Sequence, residues 1–356
     1  MKTVKVKTSK EYDVIIDAGL LDRAGEYIYS AAGGDIAAIV TDDIVAGLYL
    51  ERLRATLSKA GYKTKVFTLR NGEESKNIFT YSRILEFLAD NKVTRSDIVV
   101  ALGGGVVGDL AGFAAATYMR GIQYIQIPTT MLAAIDSSIG GKTGVDLDAG
   151  KNLAGAFHQP KLVVCDHELL EMLPPRIFVE GCAEVIKYGM IADSELFQML
   201  ETKASLDLGE IIARCIMIKR DIVCEDEFDT GSRMLLNFGH TIGHAVEHLS
   251  KYNITHGKAV AIGMAIETSA AVSLGMCDGE CYRSLVELLH KFGLPTRTRY
   301  EADELIRAVL SDKKRKGNMI TLVFPRRIGK CFISDMEVDK YKRIVNGNTT
   351  TVGEML

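Results

Sequence analysis

Residues 237–248 read NFGHTIGHAVEH. The chain has seven histidines, and three of them, His240, His244 and His248, fall here at four-residue spacing. A helix through this stretch projects all three from one face. Such a face could hold a metal ion, move protons or fill a core. HAVEH also fits His-x-x-Glu-His, in which two histidines bind zinc and the glutamate acts as base in peptide hydrolysis. His240 has the same spacing to His244, so spacing alone leaves the ligand pair open. His256 in ITHGKAV starts another helical stretch, and Glu184 in GCAEVIKYG offers a carboxylate. A mixed nitrogen and oxygen site with an open position suits Zn²⁺ acting as a Lewis acid on a substrate hydroxyl.

A second kind of chemistry is written in ALGGGVVGDLAGFAAATY, where Gly103-x-Gly105-x-x-Gly108 lies between a strand and a helix. Glycines there let backbone N–H groups approach a pyrophosphate, and the helix N-terminus favours its charge. The competing reading is a tight strand-to-helix turn. A standard dinucleotide fold puts this loop after its first strand, with an acid about 20 residues on. Here earlier strands precede the loop, and YIQIPTT carries no acid. Asp42 and Asp43, which end IAAIVTDD, could take that place or cap a helix. DSSIGGKTG has Asp136 where a nucleoside-triphosphate loop needs glycine, yet it still offers Lys142 on a glycine turn, with Lys151 and Asn152 following in GKNLAGAFHQP.

These residues need a scaffold. The first half alternates apolar strands (IAAIVTDD, TKVFTL, DIVVALGGG, YIQIP, LVVCD) with amphipathic helical segments, which implies a parallel sheet covered on both faces. Near Leu173-Pro174-Pro175 the texture becomes helical, and alternation returns only at MITLVFP. The expectation is an α/β domain over 1–174 with a parallel, Rossmann-like sheet, and an all-helical or mostly helical domain over 175–356. With 356 residues, 47% hydrophobic content and a net charge of −3, the chain can bury a sizeable core. Nothing in that charge calls for nucleic acid. No apolar run spans a membrane and MKTVKVKTSKEYDVIID lacks a signal-peptide core, while seven scattered cysteines without Cys-x-x-Cys point to a reduced cytoplasmic protein.

Seven stretches in order, GGGVVGDLAGFAAATYMRG, IPTT, DSSIGGKTGVD, GKNLAGAFHQP, AEVIKYG, LNFGHTIGHAVE and HG-x-AVAIGM, resemble the 3-dehydroquinate synthases, and the resemblance extends over nearly the whole chain. It implies an NAD-binding α/β domain, a helical metal- and substrate-binding domain, a divalent metal (Zn²⁺ or Co²⁺) and a homodimer. The implied reaction turns 3-deoxy-D-arabino-heptulosonate 7-phosphate into 3-dehydroquinate and phosphate by NAD-mediated oxidation, phosphate elimination, reduction, ring opening and intramolecular aldol closure. That would make the chain a carbon–oxygen lyase of the shikimate pathway, on the route to chorismate and the aromatic amino acids.

Carried over residue by residue, the metal ligands fall on Glu184, His240 and His256. Catalytic positions fall on Lys187, His244, Asp136, Lys219, Arg233 and Asn237. Substrate contacts fall on Lys142, Asn152 and Arg120, the last supplied by a neighbouring subunit, and on one lysine of SDKKRKG, taken here as Lys314. Cofactor contacts fall on Asp42, on Asn71, Gly72, Glu73, Glu74, Ser75 and Lys76, on Gly105, Val106, Val107, Gly108 and Asp109, on Thr129, Thr130, Lys142 and Lys151, and on Leu169, Leu170, Glu171 and Met172. A substrate with a phosphate and a carboxylate accounts for this ring of cations.

Three positions depart from the family pattern: Ile177 where Glu is usual, Ala134 where Gln is common, and Lys258 where His-Gly-Glu is usual. Lys258 adds positive charge beside a ligand. Rival readings are another sugar-phosphate cyclase such as a 2-deoxy-scyllo-inosose synthase, a metal-dependent polyol dehydrogenase, and a non-catalytic NAD-binding paralogue. Asn237 argues against the first, since those enzymes generally carry Glu there. The set Lys142, Lys151, Asn152, Arg233 and His244 argues against the second, and the intact ligand set against the third.

Overall fold

The computed structural model describes residues 1–202, 207–311, 315–316 and 318–349. They form two compact units, Met1–Pro174 with Leu208–Phe228, and Pro175–Asp207 with Asp229–Leu356. The helix Leu208–Glu225, placed by chain order in the second domain, therefore belongs to the first unit. It packs on the two N-terminal strands and on the turn Ala133–Ser137. Helical periodicity establishes that a face is buried but not which core receives it.

The first unit contains strands β1 (Lys2–Lys7), β2 (Glu11–Asp17), β3 (Ile36–Asp42), β4 (Lys63–Leu69), β5 (Ile98–Gly103), β6 (Gln123–Pro128), β7 (Lys142–Leu147), β8 (Gly150–Phe157) and β9 (Leu162–Asp166). Seven of them form one sheet in the order β1-β2-β9-β6-β5-β3-β4, parallel except for the antiparallel β1–β2 pair. β7 and β8 form a separate hairpin that the sequence reading did not foresee. Side chains alternate across the sheet, so Ile39, Val100 and Leu102 face one core while Val40, Val99 and Ala101 face the other. The helices Ala24–Ala32 and Glu51–Lys59 cover the first core, and Ile78–Asp90 and Gly105–Thr117 the second. Burial on both faces is why these strands read as unbroken apolar runs.

The crossover after β3 lies on one face and the crossover after β5 on the other, although β3 and β5 are neighbours. A crevice opens at such a reversal outside the carboxyl ends of the strands. The first glycine loop follows β5, so it reaches this crevice without being the first strand's loop.

In the second unit the helix His256–Ser273 is buried on nearly every side and packs against Pro175–Ile191 and His240–Leu249. Glycines make the crossings possible. A Cβ on Gly263 would stand 1.9 Å from the Gly239 carbonyl oxygen, and one on Gly257 2.2 Å from the Glu180 carbonyl oxygen. Gly239 itself has φ of 77°, and its N–H donates to the buried Glu267 Oε2 at 2.8 Å. This unit is helix-rich but not all-helical. β10 (Arg315–Lys316), β11 (Met319–Arg327) and β12 (Lys330–Glu337) make an antiparallel sheet, with MITLVFP in its central strand. Among the described residues no helix is long and apolar enough to cross a membrane.

Asp97 ties the start of β3 to the turn before β5. It is 2% exposed and accepts the N–H groups of Asp35 (3.1 Å), Ile36 (2.8 Å) and Thr94 (2.8 Å) and the Thr94 hydroxyl (2.7 Å). Burial opposes its charge, but these bonds outweigh burial and hold the carboxyl below its usual range. A depressed carboxyl contributes stability that is present above the ordinary carboxylate range and lost as pH falls through its folded value. Asp97→Asn should therefore cost about 2–4 kcal/mol in urea unfolding at pH 7, with the gap to wild type narrowing as pH drops through that range. Equal stabilities at pH 7 would contradict this account.

Candidate active site

In the first unit most of the expected cofactor residues lie at or just after the carboxyl ends of β3, β4, β5, β6 and β9, while Lys142 and Lys151 lie in β7 and β8. Asp42 is 4% exposed and accepts from Ile44 N (3.0 Å) and Val45 N (2.9 Å), so it caps the short helix that follows β3. Burial, only partly offset by these bonds, raises its carboxyl above the usual range. The loop Asn71–Lys76 follows β4, with Asn71 to Glu74 exposed, Ser75 half-buried and Lys76 buried. Gly105, Val106, Val107, Gly108 and Asp109 form the first turn and a half of the helix after β5. Its glycines are needed for room: a Cβ on Gly108 would meet Gln126 Oε1 at 2.6 Å, and one on Gly103 would meet Val107 at 2.6 Å. Thr129, after β6, donates its N–H to Gly103 O at 3.0 Å, and its hydroxyl is buried without a hydrogen-bond partner. Thr130 Oγ1 accepts from Ala133 N at 3.2 Å. Leu169 and Leu170 are buried beyond β9, with Tyr49 bonded to the Leu169 carbonyl at 2.9 Å, while Glu171 and Met172 are exposed.

Three of the candidate site lysines of this unit stand in ion pairs. Lys76 Nζ donates to Asp109 Oδ2 and to Asn152 Oδ1, each at 2.6 Å. Burial disfavours its charge, but Asp109 outweighs burial and raises the ammonium above its usual range. Asn152 has φ of 54°, and its backbone N–H bonds Asp146 Oδ1 at 2.7 Å, so the structure turns its amide to Lys76. Lys151 pairs with Glu73 at 3.2 Å. Lys219 pairs with the Asp136 carboxylate and donates to its carbonyl at 2.9 Å. Lys142 is exposed at the start of β7, and Arg120 is exposed at the end of a turn with φ of 67°. Ala134, one of the family departures, is fully buried in the turn that carries Asp136. Lys314 lies outside the described residues.

In the second unit Glu184 and Lys187 share the helix Pro175–Ile191, His240 opens His240–Leu249, and His256 opens His256–Ser273. Glu184 Oε1 is 3.4 Å from His240 Nε2 and 3.3 Å from His256 Nε2, and Lys187 pairs with its other oxygen. The carboxylate is fully buried, and neither oxygen has a hydrogen-bond partner of good geometry. Burial would raise its pKa, yet Lys187, His240 and His256 outweigh burial and hold it well below the usual range. Burial holds His240 well below its ordinary value. For His256 the Glu184 and Glu247 carboxylates outweigh burial, and its pKa is pushed up to about 10. A fully buried carboxylate that faces two imidazole nitrogens from different helices fits a divalent cation, which would supply the positive charge lost when His256 gives up a proton to bind it.

The His244 ring lies 5.5 Å from that of His240 and 6.3 Å from that of His256, within the same cluster. His248 is exposed and outside it, so the pair required by the zinc-protease pattern is not assembled. Arg233 (2% exposed) and Asn237 (half-buried) lie on the turn Ser232–Asn237 that leads into Gly239. Two carboxylates escaped the residue assignments: Glu267, which holds Gly239, and Glu247, 3.3 Å from His256 Nδ1. Glu247 shares the helix face of His240 and His244 at i+7 and i+3, and that spacing was its visible signal.

Residues 66–180 match the family model of the 3-dehydroquinate synthase N-terminal region, and residues 181–315 that of the C-terminal region. A 3-dehydroquinate synthase of Streptococcus thermophilus is 45% identical over 339 residues, covering 93% of this chain and 96% of the relative. The fold is shared with a 2-epi-5-epi-valiolone synthase of Streptomyces hygroscopicus subsp. jinggangensis solved with NAD⁺ and Zn²⁺ (26% identity, TM-score 0.88, 99% of each chain). It is shared too with a 2-deoxy-scyllo-inosose synthase (25% identity, TM-score 0.86, 98% of this chain and 100% of that one). With both regions matched and 45% identity to a relative over 93% of its own residues, the chain belongs to the 3-dehydroquinate synthase family.

Proposed function

We propose that the chain converts 3-deoxy-D-arabino-heptulosonate 7-phosphate to 3-dehydroquinate and phosphate, using NAD and a divalent metal, Zn²⁺ or Co²⁺. The observation that carries this reading is the buried Glu184 carboxylate facing His240 Nε2 and His256 Nε2 in a chain of this family. When bound, NAD⁺ and the metal supply a reversible hydride acceptor and Lewis acidity at the hydroxyl that is oxidised. Glu184, His240 and His256 would hold the metal. Asp42, the loops Asn71–Lys76 and Gly105–Asp109, Thr129, Thr130 and Leu169 to Met172 would hold NAD at the carboxyl edge of the sheet.

In this reading the remaining side chains position the sugar phosphate. Lys142, Lys219, Arg233 and Lys187 supply positive charge for the phosphate and carboxylate, with Lys219 held by Asp136, while Lys151 and also Lys142 contact the cofactor. Asn152 and Asn237 offer amides to the substrate hydroxyls, and His244 is a proton carrier beside the reacting ring. Loss of phosphate by elimination breaks a carbon–oxygen bond, which makes the reaction a lyase. The substrate itself is a small sugar phosphate, and neither nucleic acid nor membrane enters the scheme. A cytoplasmic setting suits the seven free cysteines, of which five are buried. The active species proposed is a homodimer that borrows Arg120 from its neighbour.

Purified protein mixed with NAD⁺, Zn²⁺ or Co²⁺ and the heptulosonate phosphate should release phosphate and form dehydroquinate with substoichiometric NAD⁺. Because the hydride returns in each cycle, absorbance from NADH should not accumulate. One NADH per turnover would identify a dehydrogenase instead, and no phosphate release would refute the proposal outright.

The histidines should separate by metal content. His240→Ala should lose metal and activity together, with affinity down by at least about 10-fold. His244→Ala should stay metal-replete while kcat falls about 100-fold, as for a lost proton carrier. His248→Ala should keep both and cost less than about 0.5 kcal/mol, because the side chain is exposed. A metal-free His248→Ala beside a metal-replete His240→Ala would reverse the assignment.

Arg120→Ala should be nearly inactive alone, and so should Lys187→Ala. Co-expressed hybrid dimers should regain activity, since they contain one complete site. Mass-verified hybrids without rescue would place Arg120 in its own subunit's site.

A further inference from the structure

Glu247 takes no part in the donor set just assigned, yet it is 5% exposed and its Oε2 lies 3.3 Å from His256 Nδ1. The two ring nitrogens of His256 have separate neighbours. Nε2 is 3.3 Å from Glu184 Oε1, while Nδ1 faces Glu247. His240 is fixed in a parallel way, with Nδ1 3.1 Å from the Phe238 carbonyl oxygen and Nε2 3.4 Å from Glu184 Oε1. A neutral imidazole binds a cation through its bare nitrogen, so its other nitrogen carries the hydrogen. A carboxylate accepting that hydrogen fixes the tautomer and the ring plane, and it strengthens the bound nitrogen as a donor.

We propose that Glu247 is a positioning residue of the metal centre: it accepts the Nδ1 hydrogen of His256, so that Nε2 is the nitrogen presented to the ion. This rests on Glu184, His240 and His256 being the ligands. It gives the glutamate of HAVEH a use unrelated to peptide hydrolysis, as an orienting group for a histidine on a neighbouring helix. A competing geometry exists, because one atom each of His244, Glu247 and His256 also lie within 4.8 Å of one another. An ion held there would make Glu247 a direct ligand, but it would leave out His240, whose Nε2 lies 3.4 Å from Glu184 Oε1 at the buried carboxylate.

The test is the dissociation constant for Zn²⁺ and Co²⁺ of the full-length apoprotein, measured by chelator competition without NAD or substrate. Glu247→Gln keeps the side-chain shape and an acceptor oxygen but loses the charge. It should bind 10–100-fold more weakly with circular dichroism and Tm near wild type, and its Co²⁺ visible bands should keep the wild-type pattern. Glu184→Gln, which removes a ligand, should be weaker still and should change those bands. If Glu247→Gln does not fold, Glu247→Asp, which keeps the charge but draws it back from Nδ1, should show the same weakening. A folded Glu247 variant with wild-type affinity would overturn the proposal. So would loss of binding as complete as for Glu184→Gln with altered bands, which would make Glu247 a ligand. Wild-type protein that binds neither ion would instead remove the underlying ligand assignment.

Discussion

A carboxylate with no exposed surface is the constraint around which the second unit is arranged. Leaving Glu184 charged and alone in the interior would cost many kcal/mol, so cations must stand against it. Lys187 arrives one helical turn later on the same helix, but the two imidazoles come from segments 56 and 72 residues downstream. Bringing three segments to hydrogen-bond range of one oxygen requires helices to cross at backbone contact. That is what Gly239, Gly257 and Gly263 allow. The Glu267 carboxylate then fixes the Gly239 N–H in the left-handed turn that launches His240. Electrostatics at one carboxylate and sterics at three glycines are thus two sides of the same local solution.

The first unit handles charge differently. Many of its candidate ligand-binding positions sit at the carboxyl ends of parallel strands, and others on the β7–β8 hairpin and on the helix Leu208–Glu225. Lys76, Lys151 and Lys219 are each held by a carboxylate partner, Asp109, Glu73 and Asp136. Pairing stops these long side chains from sampling many rotamers, so an anionic ligand binding there would meet cations already in position. The result is a set of segments tied to one another by salt bridges.

Much of this was legible in the chain. The strands β3, β5, β6 and β9, buried on both faces, announce themselves as apolar runs, and the glycine loop after β5 stands where its pattern places it. The histidine helix was readable from four-residue spacing, because covalent geometry alone puts those residues on one face. The β7–β8 hairpin was not, since β8 has no fully buried residue and the glycines and charges of both strands break the alternation. The affiliation of Leu208–Glu225 was equally hidden. An amphipathic helix shows a buried face but carries no label for its partner. Glu247 was visible as a letter in a motif, and only the approach of His256 from another helix shows what it faces.

That helix has a consequence for the order in which the protein can form. The first unit is discontinuous: its sheet and loops are complete by Pro174, yet its last element lies beyond 33 residues of the second unit. During synthesis the nascent sheet must wait, with the surface of β1 and β2 uncovered and Asp136 lacking its lysine, until Leu208–Phe228 has left the ribosome. Closing that long loop raises the sequence separation of the contacts that finish the unit, which slows folding and prolongs exposure of apolar surface. A fragment ending at Pro174 would be permanently arrested in that state, so the natural seam for dissecting this protein is not the proline pair that looks like one.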